Sequence, residues 1–185
     1  MPGLQRLDVA LSDGEVALRE WRATDVDAMV APLNDEAIAR WTRVPTPYTR
    51  EDAIEFLTQC DAGIATGEAL ALAIVAPDDA EPLGSIALRV TSWEHHRGEI
   101  GYLAFPAARG RGLAPRAVRL LARFAFERAG LQRVGILTAD DNAASGRVAE
   151  KAGFTREGVL RSYMENKGAR EDMVSWSLLP GELAP

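Results

Sequence analysis

The sequence predicts an α/β protein with a mixed sheet and helices on both of its faces. Three observations lead there. Gly98–Phe105 and Arg133–Ala139 are short apolar segments, each followed by a helical stretch, Leu113–Ala129 and Asn142–Ala152. Strand, helix, strand, helix in that order makes the two strands a parallel pair joined by a right-handed crossover. Upstream, Ala69–Ala76 and Leu83–Trp93 flank the turn cluster Pro77-Asp78-Asp79 and read as an antiparallel hairpin, which the Gly98–Phe105 strand joins. Near the end of the chain Val174, Trp176 and Leu178 alternate with Ser175 and Ser177, the two-residue period of a strand.

The elements follow in order. Glu15–Trp21 alternates as a first strand. Thr24 is the expected N-cap of a helix reaching Leu33, with Asp25 and Asp27 in its first turn. A short helix covers Asp35–Trp41, and Pro45-Thr46-Pro47 breaks the pattern. Thr49 caps a third helix with Ala53, Phe56, Leu57 and Cys60 at helical spacing, ending near Gly63 and Gly67. In Leu113–Ala129 an apolar stripe of Ala114, Ala117, Val118, Leu121 and Ala125 faces one way; in Asn142–Ala152 it is Ala144, Val148 and Ala152. Ala129-Gly130-Leu131 and Ala152-Gly153-Phe154 are matched endings, a left-handed glycine followed by an apolar residue that folds back on the last turn. Thr155–Ser162 and Met173–Leu178 are the last two strands, with Asn166-Lys167-Gly168 as the turn between them.

Composition sets bounds on function. The chain has 185 residues, 21 Lys plus Arg and 27 Asp plus Glu, for a net charge of −6, with 47% apolar and 26% charged residues. That is an ordinary globular balance and a length suited to one domain with a proper core. Its longest apolar run, Ala69 to Ala76, is far short of the roughly 20 residues of a membrane span. Met1-Pro2-Gly3-Leu4-Gln5-Arg6 has no apolar stretch of signal-peptide length. A single cysteine, Cys60, excludes an internal disulfide and makes the cytoplasm the expected setting. The acidic balance argues against a nucleic-acid partner, and neither the sequence nor its lengths suggest a membrane one.

The segment that carries chemistry is Phe105-Pro106-Ala107-Ala108-Arg109-Gly110-Arg111-Gly112-Leu113-Ala114. A strand ends, and a loop rich in glycine and arginine feeds a helix N-terminus, whose free N–H groups suit an anion. Successive loop N–H groups can form a concave nest for phosphate, and Arg109 and Arg111 add charge. The nucleotide pattern G-x-x-x-x-G-K-[ST] is absent, and Pro115 stands where a dinucleotide fingerprint needs its third glycine. A phosphate or pyrophosphate site is the reading; a plain turn with two solvated arginines is the other. No metal-ligand spacing surrounds His95 and His96, so no metal is expected.

Arg109-x-x-Gly112-x-Ala114 resembles the [QR]-x-x-G-x-[GA] motif of the GNAT acetyltransferases, and the surrounding text resembles their RimJ/RimL-type branch of ribosomal-protein-alanine acetyltransferases. The matching pieces are Glu99-Ile100-Gly101-Tyr102, the phosphate loop, Asn142-Ala143-Ala144-Ser145, Lys151-Ala152-Gly153-Phe154, Glu157-Gly158-Val159-Leu160-Arg161, Lys167-Gly168 and Asp172. The resemblance runs from about Val16 to Leu179, so residues 1–185 are expected to form one N-acetyltransferase domain with its core at about 16–179.

The resemblance implies a three-layer αβα fold whose mixed, mostly antiparallel sheet has about seven strands, the parallel fourth and fifth splaying apart. It implies acetyl transfer from acetyl-CoA to a primary amine, a protein N-terminus or a small molecule, by direct attack in a ternary complex. Leu103, Ala104 and Phe105 would border the pantetheine arm, and the N–H of Leu103 or Ala104 would polarise the thioester carbonyl. Arg109, Gly110, Arg111, Gly112, Leu113 and Ala114 would hold the pyrophosphate. Asn142 would reach the CoA arm, cap its helix, or do both. Ser145 would serve the leaving thiolate. Glu99 is the candidate base, acting through water; the glutamate that some branch members use after the sixth strand aligns here with Met164. Trp41, Tyr48 and Trp93 fall in regions that wall the acceptor site. Cys60, on an apolar stripe without a basic neighbour, is expected to be a buried, inert thiol. A homodimer is compatible with the branch. Two other readings remain: a non-catalytic module that binds acyl-CoA as a sensor or interaction domain, and a phosphate-binding protein that takes ATP or NAD instead.

Overall fold

The computed structural model describes residues 3–7, 10–78 and 81–183; Asp79 of the expected turn lies outside the described residues. Its strands are β1 (Leu11–Ser12), β2 (Ala17–Glu20), β3 (Ala69–Val75), β4 (Gly84–Ser92), β5 (Arg97–Ala104), β6 (Arg133–Ala139), β7 (Thr155–Asn166) and β8 (Ala169–Leu178). The helices are α1 (Val26–Leu33), α2 (Glu36–Trp41), α3 (Arg50–Thr66), α4 (Leu113–Glu127) and α5 (Ala143–Lys151). The strands form one sheet in the order β1-β2-β3-β4-β5-β6-β8-β7, all neighbours antiparallel except β5 and β6.

Alternation along the central strands sets the layers. Leu70, Leu72 and Ile74 of β3, Ile86 and Leu88 of β4 and Ile100 of β5 are buried in one cluster with Val118 and Leu121 of α4 and Ala149 of α5. Two-residue periodicity sends the intervening side chains to the other face. There Ala73 and Val75 pack near Trp21, while Leu103 and Phe105 meet Met29, Leu33 and Ala53 of α1 and α3. The predicted α/β class, with helices on both faces, is what forms.

Local signals place most helix ends. Thr49 accepts the Asp52 N–H while the Asp52 carboxylate accepts the Thr49 N–H, closing a reciprocal cap on α3. After α4 the Leu131 N–H donates to the Ala125 carbonyl at 2.9 Å; after α5 the Phe154 N–H donates to the Ala149 carbonyl at 3.0 Å. The second is the six-to-one bond expected at a glycine ending; the first reaches one residue further back, to close seven residues.

Several expectations are corrected. The sheet has eight strands rather than seven, because Leu11–Ser12 pairs with Ala17–Leu18 at the edge, so the parallel pair is β5 and β6. Thr24 is not a cap: it lies inside a 3-10 turn, Ala23–Asp25, held by the Asp25 carboxylate, which pairs with Arg19 and accepts the Arg22 N–H. Gly63 lies within α3, and Gly67 at φ +70° ends it. Ala144 is exposed, so the buried stripe of α5 runs through Ala149 and Ala152. β7 and β8 run to a turn at Lys167-Gly168, beyond the predicted strand limits.

Candidate active site

The site begins where the parallel pair fails. β5 and β6 are in register only at Arg97↔Arg133, Gly98↔Val134 and Glu99↔Gly135. Beyond that point β5 stays on β4 as far as Ala104, and β6 stays on β8 as far as Ala139. A seam opens between them. The Phe105 N–H donates to the Leu83 carbonyl at 2.9 Å, and antiparallel alternation directs the other odd-numbered peptide groups of β5 towards β4 as well. Tyr102 and Ala104 therefore turn their N–H groups into the seam. Of the two expected carbonyl donors, Ala104 has a free N–H, and that of Leu103 is committed to β4.

At the mouth of the seam stands the glycine-rich loop. Gly110 and Gly112 have φ of +74° and +73°, and a Cβ on either would meet nothing within 4 Å. Gly112 occupies the N-cap of α4 and brings no side chain to cap the first-turn N–H groups. These groups stay available to an anion, and Arg111 is exposed beside them with no ion-pair partner among the described residues. Such a cradle fits a pyrophosphate. Arg109 departs from the expectation: its guanidinium pairs with Asp35 at 2.5 Å and thereby leans on the N-cap of α2. That pairing holds the Asp35 carboxyl below its usual range.

On the α5 side, Asn142 caps the helix, its side-chain oxygen accepting the Ser145 N–H at 3.0 Å. Ser145 is half-buried. Its partner is Tyr102, whose hydroxyl donates to the Ser145 carbonyl at 2.9 Å and lies 3.0 Å from Oγ. A phenol has one proton, so while it donates to the carbonyl its oxygen is free to accept the Ser145 hydroxyl. Burial pushes the Tyr102 phenol up to about 12, so it stays protonated at neutral pH. Tyr102 thus bridges the open seam, from β5 to the helix that follows β6. Tyr102 lies in the segment Glu99-Ile100-Gly101-Tyr102, and the family resemblance assigns it no role. Its signal was a hydroxyl sharing the face of Ile100, which must find a partner when buried.

Across the sheet, Leu103 and Phe105 reach a cavity of about 380 Å³ beneath α1 and α3. Trp21, Met29, Leu33 and Val44 wall it together with Tyr48 and Phe56. Trp21 stands edge-on to Phe56, with ring centroids 5.7 Å apart, and its indole N–H is buried without a partner among the described residues. Asp52 and Glu55 of α3 and Arg43 from the α2–α3 loop also line the cavity. Of the three aromatics expected near an acceptor, only Tyr48 belongs to it. Trp41 carries Arg40 over its ring at 4.4 Å, and Trp93 packs against the core on the opposite face.

Glu99 lies on the cavity side of β5, two same-face positions before Leu103, and pairs with Arg89 on β4 at 3.3 Å. It does not line the cavity. Cys60 is half-buried, with its thiol pushed up to about 12 mainly by burial. Among the described residues no cluster of three or more His, Cys, Asp or Glu side chains could hold a metal ion, and no helix is long and apolar enough to cross a membrane.

Both the sequence and the fold have known relatives. The chain is 28% identical to the uncharacterized N-acetyltransferase YoaA of Bacillus subtilis over 169 residues, 91% of this chain and 96% of that one. Its fold matches RimJ of Mycobacterium smegmatis in complex with CoA-disulfide, with a TM-score of 0.83 at 23% identity over 92% of this chain and 84% of that one. It also matches the ribosomal-protein-S5-alanine acetyltransferase of Vibrio fischeri, with a TM-score of 0.81 at 23% identity over 96% of this chain and all of that one. The family model for the acetyltransferase (GNAT) domain covers residues 15–155, so the chain belongs to the GNAT family and is an acetyltransferase.

Proposed function

We propose that the protein transfers the acetyl group of acetyl-CoA to a primary amine by direct attack, both substrates bound together. The observation that carries this reading is the seam between β5 and β6, with an anion cradle at its mouth, seam-facing N–H groups along one edge and a paired hydroxyl on the other. Acetyl-CoA supplies the activated thioester. Gly110, Gly112, Leu113, Ala114 and Arg111 hold its pyrophosphate, and Arg109 joins them only when released from Asp35. Leu103, Ala104 and Phe105 border its arm, with Asn142 holding the facing helix turn.

The residues divide the chemistry between the two faces. The amine comes from the cavity side, where Leu103 and Phe105 form the floor. The Ala104 N–H meets the charge that develops on the carbonyl oxygen. On the other face Ser145 turns its hydroxyl towards the departing sulfur, and Tyr102 then donates to the Ser145 oxygen in place of the carbonyl. No proton leaves either hydroxyl: both are weaker acids than a thiol. Glu99 takes the amine proton through water. An α-amine, with its ordinary pKa near 7.7–8.0, needs far less help than a lysine near 10.4. Cys60 takes no part, because a thiol held protonated is no nucleophile. A cytoplasmic setting and a protein N-terminus as acceptor fit the lone cysteine and the names of the structural relatives.

The test mixes the protein with acetyl-CoA and a panel of amines and follows thiol release. Release with an amine, and none without one, supports the reading. Tight CoA binding without release under every acceptor points to the sensor alternative. Failure to bind CoA rejects both.

A further inference from the structure

We infer that the acceptor carries a bulky apolar group next to its amine, and that this group enters the cavity beneath α1 and α3. The inference rests on the proposed transfer and deepens it by naming the substrate class.

Position comes first. Leu103 and Phe105 line the cavity, and between them lies Ala104, whose N–H faces the seam. A molecule seated in the cavity therefore ends against the same three residues that border the seam. Size comes second. About 380 Å³ is the volume of roughly a dozen waters at about 30 Å³ each. The hydrogen or methyl of a first-residue glycine or alanine leaves nearly all of that space to water, whereas a leucine or phenylalanine side chain displaces roughly a quarter to a third of it.

Chemistry comes third. Met29, Leu33, Val44 and Phe56 offer no hydrogen bonds that would reward water for staying, so an apolar group gains by displacing it. Charge is confined to Asp52, Glu55 and Arg43. Asp52 is engaged at the start of α3 by Thr49, and Glu55 accepts from Gln59 at 3.1 Å. The two carboxylates favour an ammonium over an anion on their side. Arg43 has no ion-pair partner among the described residues and faces a carboxylate only if the acceptor is a free amino acid. The shared chemistry is an amine beside a large apolar substituent; it comes from a peptide N-terminus or from a free amino acid.

Two measurements test it. Thiol release is followed with tetrapeptides identical except for Gly, Ala, Leu or Phe at the first position, and with free leucine and phenylalanine. Separately, binding of the same compounds to the protein saturated with CoA is measured by calorimetry. Leu- and Phe-first peptides are expected to exceed Ala-first by about 10- to 100-fold in kcat/KM and in affinity. Val44→Trp, a half-buried loop position, fills the cavity and is expected to draw the Phe-to-Ala ratio towards one. Use of the free amino acids, lost in Arg43→Ala, assigns the source to them; use of the peptides alone assigns it to N-termini. Equal binding of small and large first residues overturns the inference, whether or not turnover occurs. Preferential binding of the large ones with no thiol release upholds the cavity assignment and overturns the transfer reaction instead.

Discussion

The two faces of the sheet are held by different means. Under α4 and α5 one continuous apolar cluster reaches from Leu18 and Leu72 to Leu121, Ile136 and Trp176. Over the other face, α1 and α3 share a smaller cluster that leaves a cavity, and polar links do much of the joining. Arg19 pairs with Asp25 at 2.7 Å, both side chains more than nine-tenths buried. Asn34 both donates to and accepts from the Tyr48 backbone, and Asn166 and Lys167 reach the backbone of α2. A continuous core tolerates little change in volume, whereas links between a few polar groups can be altered one at a time. In the proposed reaction the fixed face, with the cradle and Ser145, serves the substrate shared by every reaction of this kind. In that proposal the adjustable face meets the acceptor.

The sharpest way to break that division is Gly112→Glu. A carboxylate at the N-cap of α4 puts negative charge where the proposed pyrophosphate sits, and φ of +73° strains any side chain. CoA affinity is expected to fall by at least about 1,000-fold, more than about 4 kcal/mol. Thermal unfolding should move only a few degrees, because the loop is outside the core. Retained CoA binding, followed by calorimetry, would remove the cradle from the account.

Arg19→Met tests the other face. It leaves Asp25 buried without its guanidinium, a loss expected to cost about 3–5 kcal/mol. For a chain of this size that lowers the melting temperature by about 6–20 °C. Adding Asp25→Leu should restore much of it, since an apolar pair replaces a charged one. CoA affinity in the double variant, measured below its melting point, is expected to stay within a few-fold of the parent.

Ser145→Ala and Tyr102→Phe belong to the fixed face but act on turnover. Each is expected to lower kcat by about 10- to 100-fold with little change in KM for acetyl-CoA. If Tyr102 works through Ser145, the double variant is no slower than the slower single one. A separate alkaline effect follows from the phenol. Its folded value near 12 lies above its ordinary value of 10. The stability it contributes is present below pH 10 and is lost as pH rises towards 12. Tyr102→Phe should remove that part of the alkaline loss, read from unfolding at pH 8 and pH 11.

How far these features could be read from the sequence follows from their range. Helix endings at Gly130 and Gly153, the caps at Thr49 and Asn142, and the loop from Arg109 to Ala114 depend on neighbours within six residues, and all were legible. Thr24 was misread because its apparent cap competes with Arg19–Asp25, a pair that forms only once β2 and the turn are folded together. The full length of β7 was hidden for a different reason. Most of its residues are exposed, so no apolar period marks it. Tyr102 and Ser145 lie 43 residues apart, and the cavity needs α1, α3 and β5 together. No local pattern encodes those meetings.

Asp35 and Arg109 tie one face to the other, and they give the smallest effect and the finest test. Asp35 caps α2 through the N–H groups of Ala37 and Ile38 while its carboxylate holds Arg109 at the cradle. The guanidinium lowers the Asp35 carboxyl below its ordinary 3.8. A depressed acid contributes stability above its ordinary value and loses it as pH falls through the lowered one, so this link weakens only below about pH 4. Asp35→Asn keeps a capping oxygen and removes the charge. The variant should lose the acid-dependent part of stability contributed by this pair. Arg109, released, then adds its charge to the cradle, and CoA should bind about threefold more tightly, the gain shrinking with added salt as exposed charges are screened. Unchanged affinity at both low and high salt would mean that Arg109 braces α2 and leaves the pyrophosphate to Arg111 and the helix N–H groups.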